Sequence, residues 1–581
     1  MTRFKRMAWG VMVILLTGTM LPAATPKLVG QIPSGAPMFV VINNLQGLST
    51  KLAAFDNALA LGQPVMQNAL GFAKAMTGMV AGVDDDGSLG MAMLNLPLPN
   101  ANGEQQPPRV VLLVPVKDYN AFLGNFQPQT NGNVSQIQLT GKPMFVKQAG
   151  GYAVLSDLQD TVANFAPAAG NSFQADSGHF GSKVLGESDL MVYVDMATVG
   201  PVMQPFVAMG LMQAQQQMAD PALGGQGKMA QAMVGLYGDV INAILRDSKS
   251  AALGLDLSDQ GIGISGSVQF KPDTPSAKAF AMSGSDNLTF DHLPARPYLV
   301  ASSMNLKGLP LEDWFNTFAA RMPEGDGMAG VMKNAAAMMK AAGNSAQQAW
   351  YAPDMAAGPG SFLNAVTVYS STDPDAFIKQ YKQQILAMNN IEIAPNSKYM
   401  TSYTDNVMQI EGKNVDQFSL KMQLPPEAMQ QLGPAAMFFA GDMGGYIATA
   451  DKSVVLTQGG DAMLLKQAIN VAGGKGDQLG ADAGINSMRK HLYDHRIAEG
   501  YVGIGAIMNL ANTFIAMFAP DAAMDVPQNL PPVASSMSVH QTGVGTRTFV
   551  PLPTIVAVKN AVMKVIEAQQ KPAAVSDAST R

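Results

Sequence analysis

The feature that most constrains this chain is that it is written twice. The segment Phe39-Val-Val-Ile-Asn-Asn-Leu-Gln-Gly-Leu48 returns as Leu299-Val-Ala-Ser-Ser-Met-Asn-Leu-Lys-Gly-Leu309, each time an apolar run passing into a helix. A looser version opens the second part of each half, at Leu190 to Met196 and at Val502 to Leu510. Val110-Val-Leu-Leu-Val-Pro-Val-Lys-Asp118 leads into Ala121-Phe-Leu123, and Val366-Thr-Val-Tyr-Ser-Ser-Thr-Asp373 into Ala376-Phe-Ile378. In both, the aspartate is placed to cap the new helix, and Pro374 falls at the first helical position, where its missing N–H costs nothing. A third pair has the look of a hairpin before a helix, at Pro143 to Leu155 and Tyr446 to Leu456. Their turns come from Gly150-Gly151 and from Asp451-Lys452. Recurrence of all these pieces in one order implies an internal duplication.

The expected division is a leader over 1–24, an N-terminal half over 25–284, a diverged copy over 285–569 and a loose tail over 570–581. Glycine, serine, aspartate and proline gather between Ser283 and Pro297, where the copies should meet. Short apolar or alternating runs joined by tight turns, broken by longer helical inserts, predict an α+β fold. Each half should be an antiparallel sheet with helices packed on one face. Two inserts, Val202 to Leu245 and Met328 to Ala342, are rich in methionine and alanine.

The first residues carry an address. Arg3, Lys5 and Arg6 precede an apolar stretch from Met7 to Leu21, with Pro22, Ala23 and Ala24 behind it, which is the anatomy of a cleaved signal peptide. The stretch is shorter than the about twenty residues of a membrane-spanning helix. Export to the periplasm, the cell envelope or beyond is therefore expected, and no later run suggests a transmembrane span in the mature chain. With no cysteine there is no disulfide framework, thiolate metal site or thiol nucleophile. A formal net charge of −6, made more negative by loss of the leader, argues against nucleic acid as a partner. Only 14% of residues are charged while 47% are hydrophobic, which excludes a disordered chain.

Catalytic and metal signals are sparse. His491 and His495, four apart, would share a helical face and are candidates for a metal clamp. Arg489, Lys490 and Arg496 around them favour a solvated basic helix instead. Asp84-Asp85-Asp86-Gly87 opens like a calcium loop but has no acidic residue closing it, so a turn into a strand is expected. Ser487-Met-Arg-Lys490 has the spacing of a serine acyl enzyme, yet Ser285-Asp-Asn287 stands before it and no Lys-Thr-Gly follows. Gly473-Gly474-Lys475-Gly476 follows a helix and should end it. The 41 methionines could offer thioethers to Cu(I), but they sit among alanine, valine and leucine at helical spacings. Core filling or a pliable apolar groove fits them better, with Met209, Met212, Met332 and Met338 as candidate lining. No cofactor is indicated.

The order of the pieces resembles a family of signal-bearing exported proteins of planctomycete-type bacteria whose function is unknown. The likeness runs through Gly82-Val-Asp-Asp-Asp-Gly-Ser-Leu-Gly-Met-Ala92, Leu113 to Asp118, Lys142 to Ser156 and Leu190 to Asp195, mainly in the first half. The second half looks like a diverged copy that ends at Arg547-Thr-Phe-Val-Pro-Leu-Pro553 before a last helix. The resemblance implies export and duplication and brings no catalytic residues.

Three functions follow as expectations. The first is a non-catalytic binding or scaffold protein of the periplasm or envelope, with envelope proteins or a hydrophobic ligand as partners. The second is a carrier of lipid or hydrophobic peptide in the methionine-lined groove. The third is an envelope hydrolase whose site is assembled from distant residues.

Overall fold

The computed structural model describes residues 26–98, 106–167, 172–218, 224–281, 288–322, 327–353, 364–394, 397–425, 443–518 and 523–570. The expected leader and the expected tail beyond residue 570 lie outside them. The chain is α+β, and its strand pairings are antiparallel throughout the described registers. Its contacts separate two compact units. One comprises Met1–Met209, Gly238–Ser283 and Met537–Leu552, and the other Gly210–Tyr237, Gly284–Ser536 and Pro553–Arg581.

In the first unit the strands are β1 (Met38–Ile42), β2 (Leu89–Met93), β3 (Val110–Pro115), β4 (Gln129–Asn131), β5 (Val134–Leu139), β6 (Lys142–Ala149), β7 (Tyr152–Ser156), β8 (Leu190–Asp195), β9 (Ser248–Ser258) and β10 (Gly261–Phe270). They pair in the order β4, β5, β6, β7, β3, β2, β1, β8, β9, β10. A late strand, Gly543–Pro551, then runs along β10 from Gly261↔Pro551 to Gln269↔Gly543.

Alternation along the strands sorts side chains to the two faces of this sheet. Phe39, Val41, Val111, Leu113, Val154, Met191 and Tyr193 join a core closed by Leu28, Val29 and the helical segment Ser172–Glu187 with Phe173 and Val184. Val114, Ala153, Leu155 and Val146 join a second core around Phe122. Phe122 is delivered by the helix Tyr119–Gly124, which Asp118 caps by accepting from the Ala121 N–H at 3.0 Å. Gly150 turns β6 into β7 with φ 57°, a conformation that glycine adopts without steric cost.

The second unit holds β11 (Tyr298–Asn305), β12 (Ala342–Tyr351), β13 (Asn364–Ser371), β14 (Glu392–Ala394), β15 (Ser397–Ile410), β16 (Lys413–Gln423), β17 (Gly445–Ala450), β18 (Ser453–Gln458) and β19 (Arg496–Val502). Their order is β14, β15, β16, β17, β18, β13, β12, β11, β19. From β15 to β19 the succession of pairings is that of β4 to β8. The details agree as well. Asp373 accepts from the Ala376 N–H at 3.0 Å with Pro374 first in the helix Pro374–Ala387, and Asp451 turns β17 into β18 with φ 53°.

Candidate functional site

Between β8 and β9 the chain leaves the sheet as two long helices, Met196–Met218 and Gly224–Asp247. Asp195 starts the first of these. Its carboxylate accepts from the Ala197 N–H at 3.0 Å and the Thr198 hydroxyl at 2.6 Å. Alanine, methionine and glutamine then sustain the helix despite Pro201 and Pro205, which remove two backbone donors.

What these helices leave uncovered is unusual. In Gly224–Asp247 the side chains of Met233, Tyr237, Val240 and Ile241 are 37%, 58%, 51% and 39% exposed. Their spacing puts all four on one side of the helix, while Ala232, turned away from them, is buried, as is Leu245 one turn beyond Ile241. In Met196–Met218 there is no charged residue, and Phe206, Met209 and Met212 are 60%, 63% and 59% exposed. Amphipathic helices normally turn such a stripe inward. Scattered apolar side chains on a surface are ordinary, but a continuous stripe marks a contact site.

The four methionines expected to line a groove thus have two different fates. Met209 and Met212 are exposed on Met196–Met218. Met332 packs on a core formed by Ala232, Phe318, Met322, Met328 and Val331, and Met338 is buried with Phe377, Ile447, Val454 and Leu456. The latter two belong to separate cores.

The helix Ala483–Arg489 ends before either candidate histidine. His491 lies in the turn that follows it, and His495 adopts a left-handed conformation with φ 55°, so the shared helical face does not form. Among the described residues no three histidine, aspartate or glutamate side chains gather as a metal site would require. Asp84 accepts from the Gly87 N–H at 3.1 Å in a turn that runs into β2. Ser487 donates to the Gly484 carbonyl at 2.8 Å on the same short helix. Gly473 caps the helix Ala462–Ala472, and Gly474 follows with φ 78°.

Buried charge is concentrated in two networks. In the first unit Lys51 lies 2.6 Å from Asp189, whose other oxygen accepts from the Leu257 N–H at 2.9 Å. Close by in the same sheet, Arg547 donates to Asp256 at 3.0 Å and to the Ser265 hydroxyl at 3.1 Å. Burial pushes the Asp189 and Asp256 carboxyls up from their ordinary range, while Lys51 and Arg547 pull them back. In the second unit Glu499, its side chain fully enclosed, is held by Arg489 at 2.7 Å and Arg496 at 3.1 Å. The Tyr501 hydroxyl is pushed up by burial and then by Glu499. These groups face one another inside the fold, which suits them to holding elements in register rather than to acting on a substrate.

Neither the exposed stripe nor the networks were singled out in the sequence, though each left a signal. Met233, Tyr237, Val240 and Ile241 have helical spacing, and Asp256, Glu499 and Arg547 occupy the inward phase of alternating strands.

No helix among the described residues is long and apolar enough to cross a membrane. No protein-family model matches the chain, and no curated protein matches it. Among solved structures it is similar to crystal form III of TP0453, at 9% identity over 44% of this chain and 81% of that one. The TM-score is 0.20, too low to bear on fold or function.

Proposed function

We propose that this chain is an exported, non-catalytic binding protein of the bacterial envelope, which holds an apolar stretch of another polypeptide against its two long helices. The observation that carries this is the solvent-facing stripe Met233, Tyr237, Val240 and Ile241, beside the uncharged helix that exposes Phe206, Met209 and Met212. Unbranched, polarisable methionine adapts to varied apolar contours, so surfaces rich in it suit peptide partners. Charge favours a polypeptide over a lipid surface. Interfacial helices draw on lysine and arginine to reach anionic lipid, whereas this chain is net acidic and Met196–Met218 has no cation.

The test is fluorescence anisotropy of a labelled, neutral amphipathic peptide of leucine and glutamine, titrated with the mature chain. Vesicles of phosphatidylcholine and phosphatidylglycerol serve in a parallel flotation assay. Binding of the peptide, weakened about tenfold or more by Tyr237→Glu with Ile241→Glu at unchanged Tm, supports the proposal, a tenfold change being about 1.4 kcal/mol. Vesicle binding without peptide binding would replace it with a lipid role, and absence of both would end it.

A further inference from the structure

Apart from the helices, the first unit contains a pocket of about 490 Å³, a size suited to a small ligand. Sheet pairing builds it. β3 and β7 run antiparallel with Leu112 opposite Leu155, so the entry to β3 and the chain leaving β7 meet at one end of the sheet. Ser156 ties them by donating to the Val110 carbonyl at 2.7 Å. Arg109 and Gln106 line the pocket from one side, and Asp160, Thr161, Asn164 and Phe165 from the other.

Three observations narrow its ligand. Phe165 is 5% exposed, so its ring face is closed to the stacking that a sugar would use. Arg109 and Asp160 are both exposed and place one cation and one anion at the pocket wall. A ligand that satisfies both charges carries a carboxylate and an ammonium. The exposed carboxamides of Gln106 and Asn164 each offer a donor and an acceptor, the complement of a peptide group.

We propose that this pocket binds a di- or tripeptide with both ends free, its carboxylate on Arg109, its ammonium on Asp160, and its peptide group on the carboxamides of Gln106 and Asn164. Arginine suits the carboxylate because its guanidinium grips both oxygens at once.

Isothermal titration of the mature chain with L-alanyl-L-alanine tests this, with N-acetyl-dialanine amide and maltose as comparison ligands. The free dipeptide should bind, and the end-blocked one and maltose should not. Arg109→Ala and Asp160→Ala should each weaken binding about tenfold or more without lowering Tm, because both side chains are exposed. Gln106→Ala combined with Asn164→Ala should weaken binding while leaving Tm unchanged. No binding of dialanine at millimolar concentration, equal binding of the blocked peptide, or binding of maltose alone would each overturn the assignment.

Discussion

Arg547 illustrates what a single residue does in this fold. It lies on a strand between Thr546 and Thr548, yet it is 8% exposed and its guanidinium reaches Asp256 and Ser265. Removing one partner of such a pair leaves the other charge buried without compensation. Arg547→Ala should therefore cost about 3–5 kcal/mol, seen as a lowered denaturation midpoint. Arg547→Met combined with Asp256→Leu should recover most of the loss, and a single variant as stable as the parent would show that the pair holds nothing. Asp247 gives a pH signature. The Arg246 side chain, with help from the Ser276 N–H and hydroxyl, holds its carboxyl down at about 2. A depressed carboxyl stabilises the fold fully above its unfolded value of about 3.9 and loses that contribution as pH falls through the folded value. Asp247→Asn should accordingly lower Tm at neutral pH, with a deficit that narrows between pH 4 and pH 2. A gap constant over that range would contradict the assignment.

At the scale of elements, what was legible followed the backbone. Gly150, Asp451, Asp118 and Asp373 announce their turns and caps because local chemistry alone selects those conformations. Alternation likewise marks β1, β8 and β19 as strands. The partners of a helix face are another matter, since apolar spacing says that a stripe exists and not what covers it. Met212 and Met338 sit in similar methionine-alanine text, yet the first is 59% exposed and the second 8%. Met338→Ala should cost about 2–5 kcal/mol by leaving a cavity beside Phe377 and Ile447. Met212→Ala should stay within about 0.5 kcal/mol, as exposed sites do. Comparable losses at both positions in thermal denaturation would mean that the first helix is covered after all. The basic helix expected around His491 and His495 fails for a related reason. Their spacing is helical, but the helix stops at Arg489, and spacing does not say where a helix ends.

For the whole molecule, recurrent segments in the sequence suggest two copies but not how the chain distributes itself between units. The recurrent segments suggest a cut between Ser283 and Pro297, and nothing in them hints that Met537–Leu552 groups with the first unit or Gly210–Tyr237 with the second. Such exchanges depend on long-range pairing, which single segments do not record. Truncation after Thr542 removes the strand that runs along β10 and the Arg547 guanidinium with it. Calorimetry of that shortened chain should show the first unit melting earlier or not at all as a cooperative transition. An unchanged profile would mean that the late strand is dispensable.

That late strand also sets a clock. Ribosomes deliver a chain from its N-terminus, so β10 is made well before the residues that will cover it, and it carries no charge between Gly261 and Phe270 to repel an intruder. Until Gly543–Pro551 arrives, the edge is open to any other nascent copy with the same vacancy. The glycines at 261, 263 and 266 weaken such a mispairing by their poor strand propensity. This protein's period of greatest risk is therefore its own synthesis, and crowding during overexpression should trap it as aggregates joined along β10.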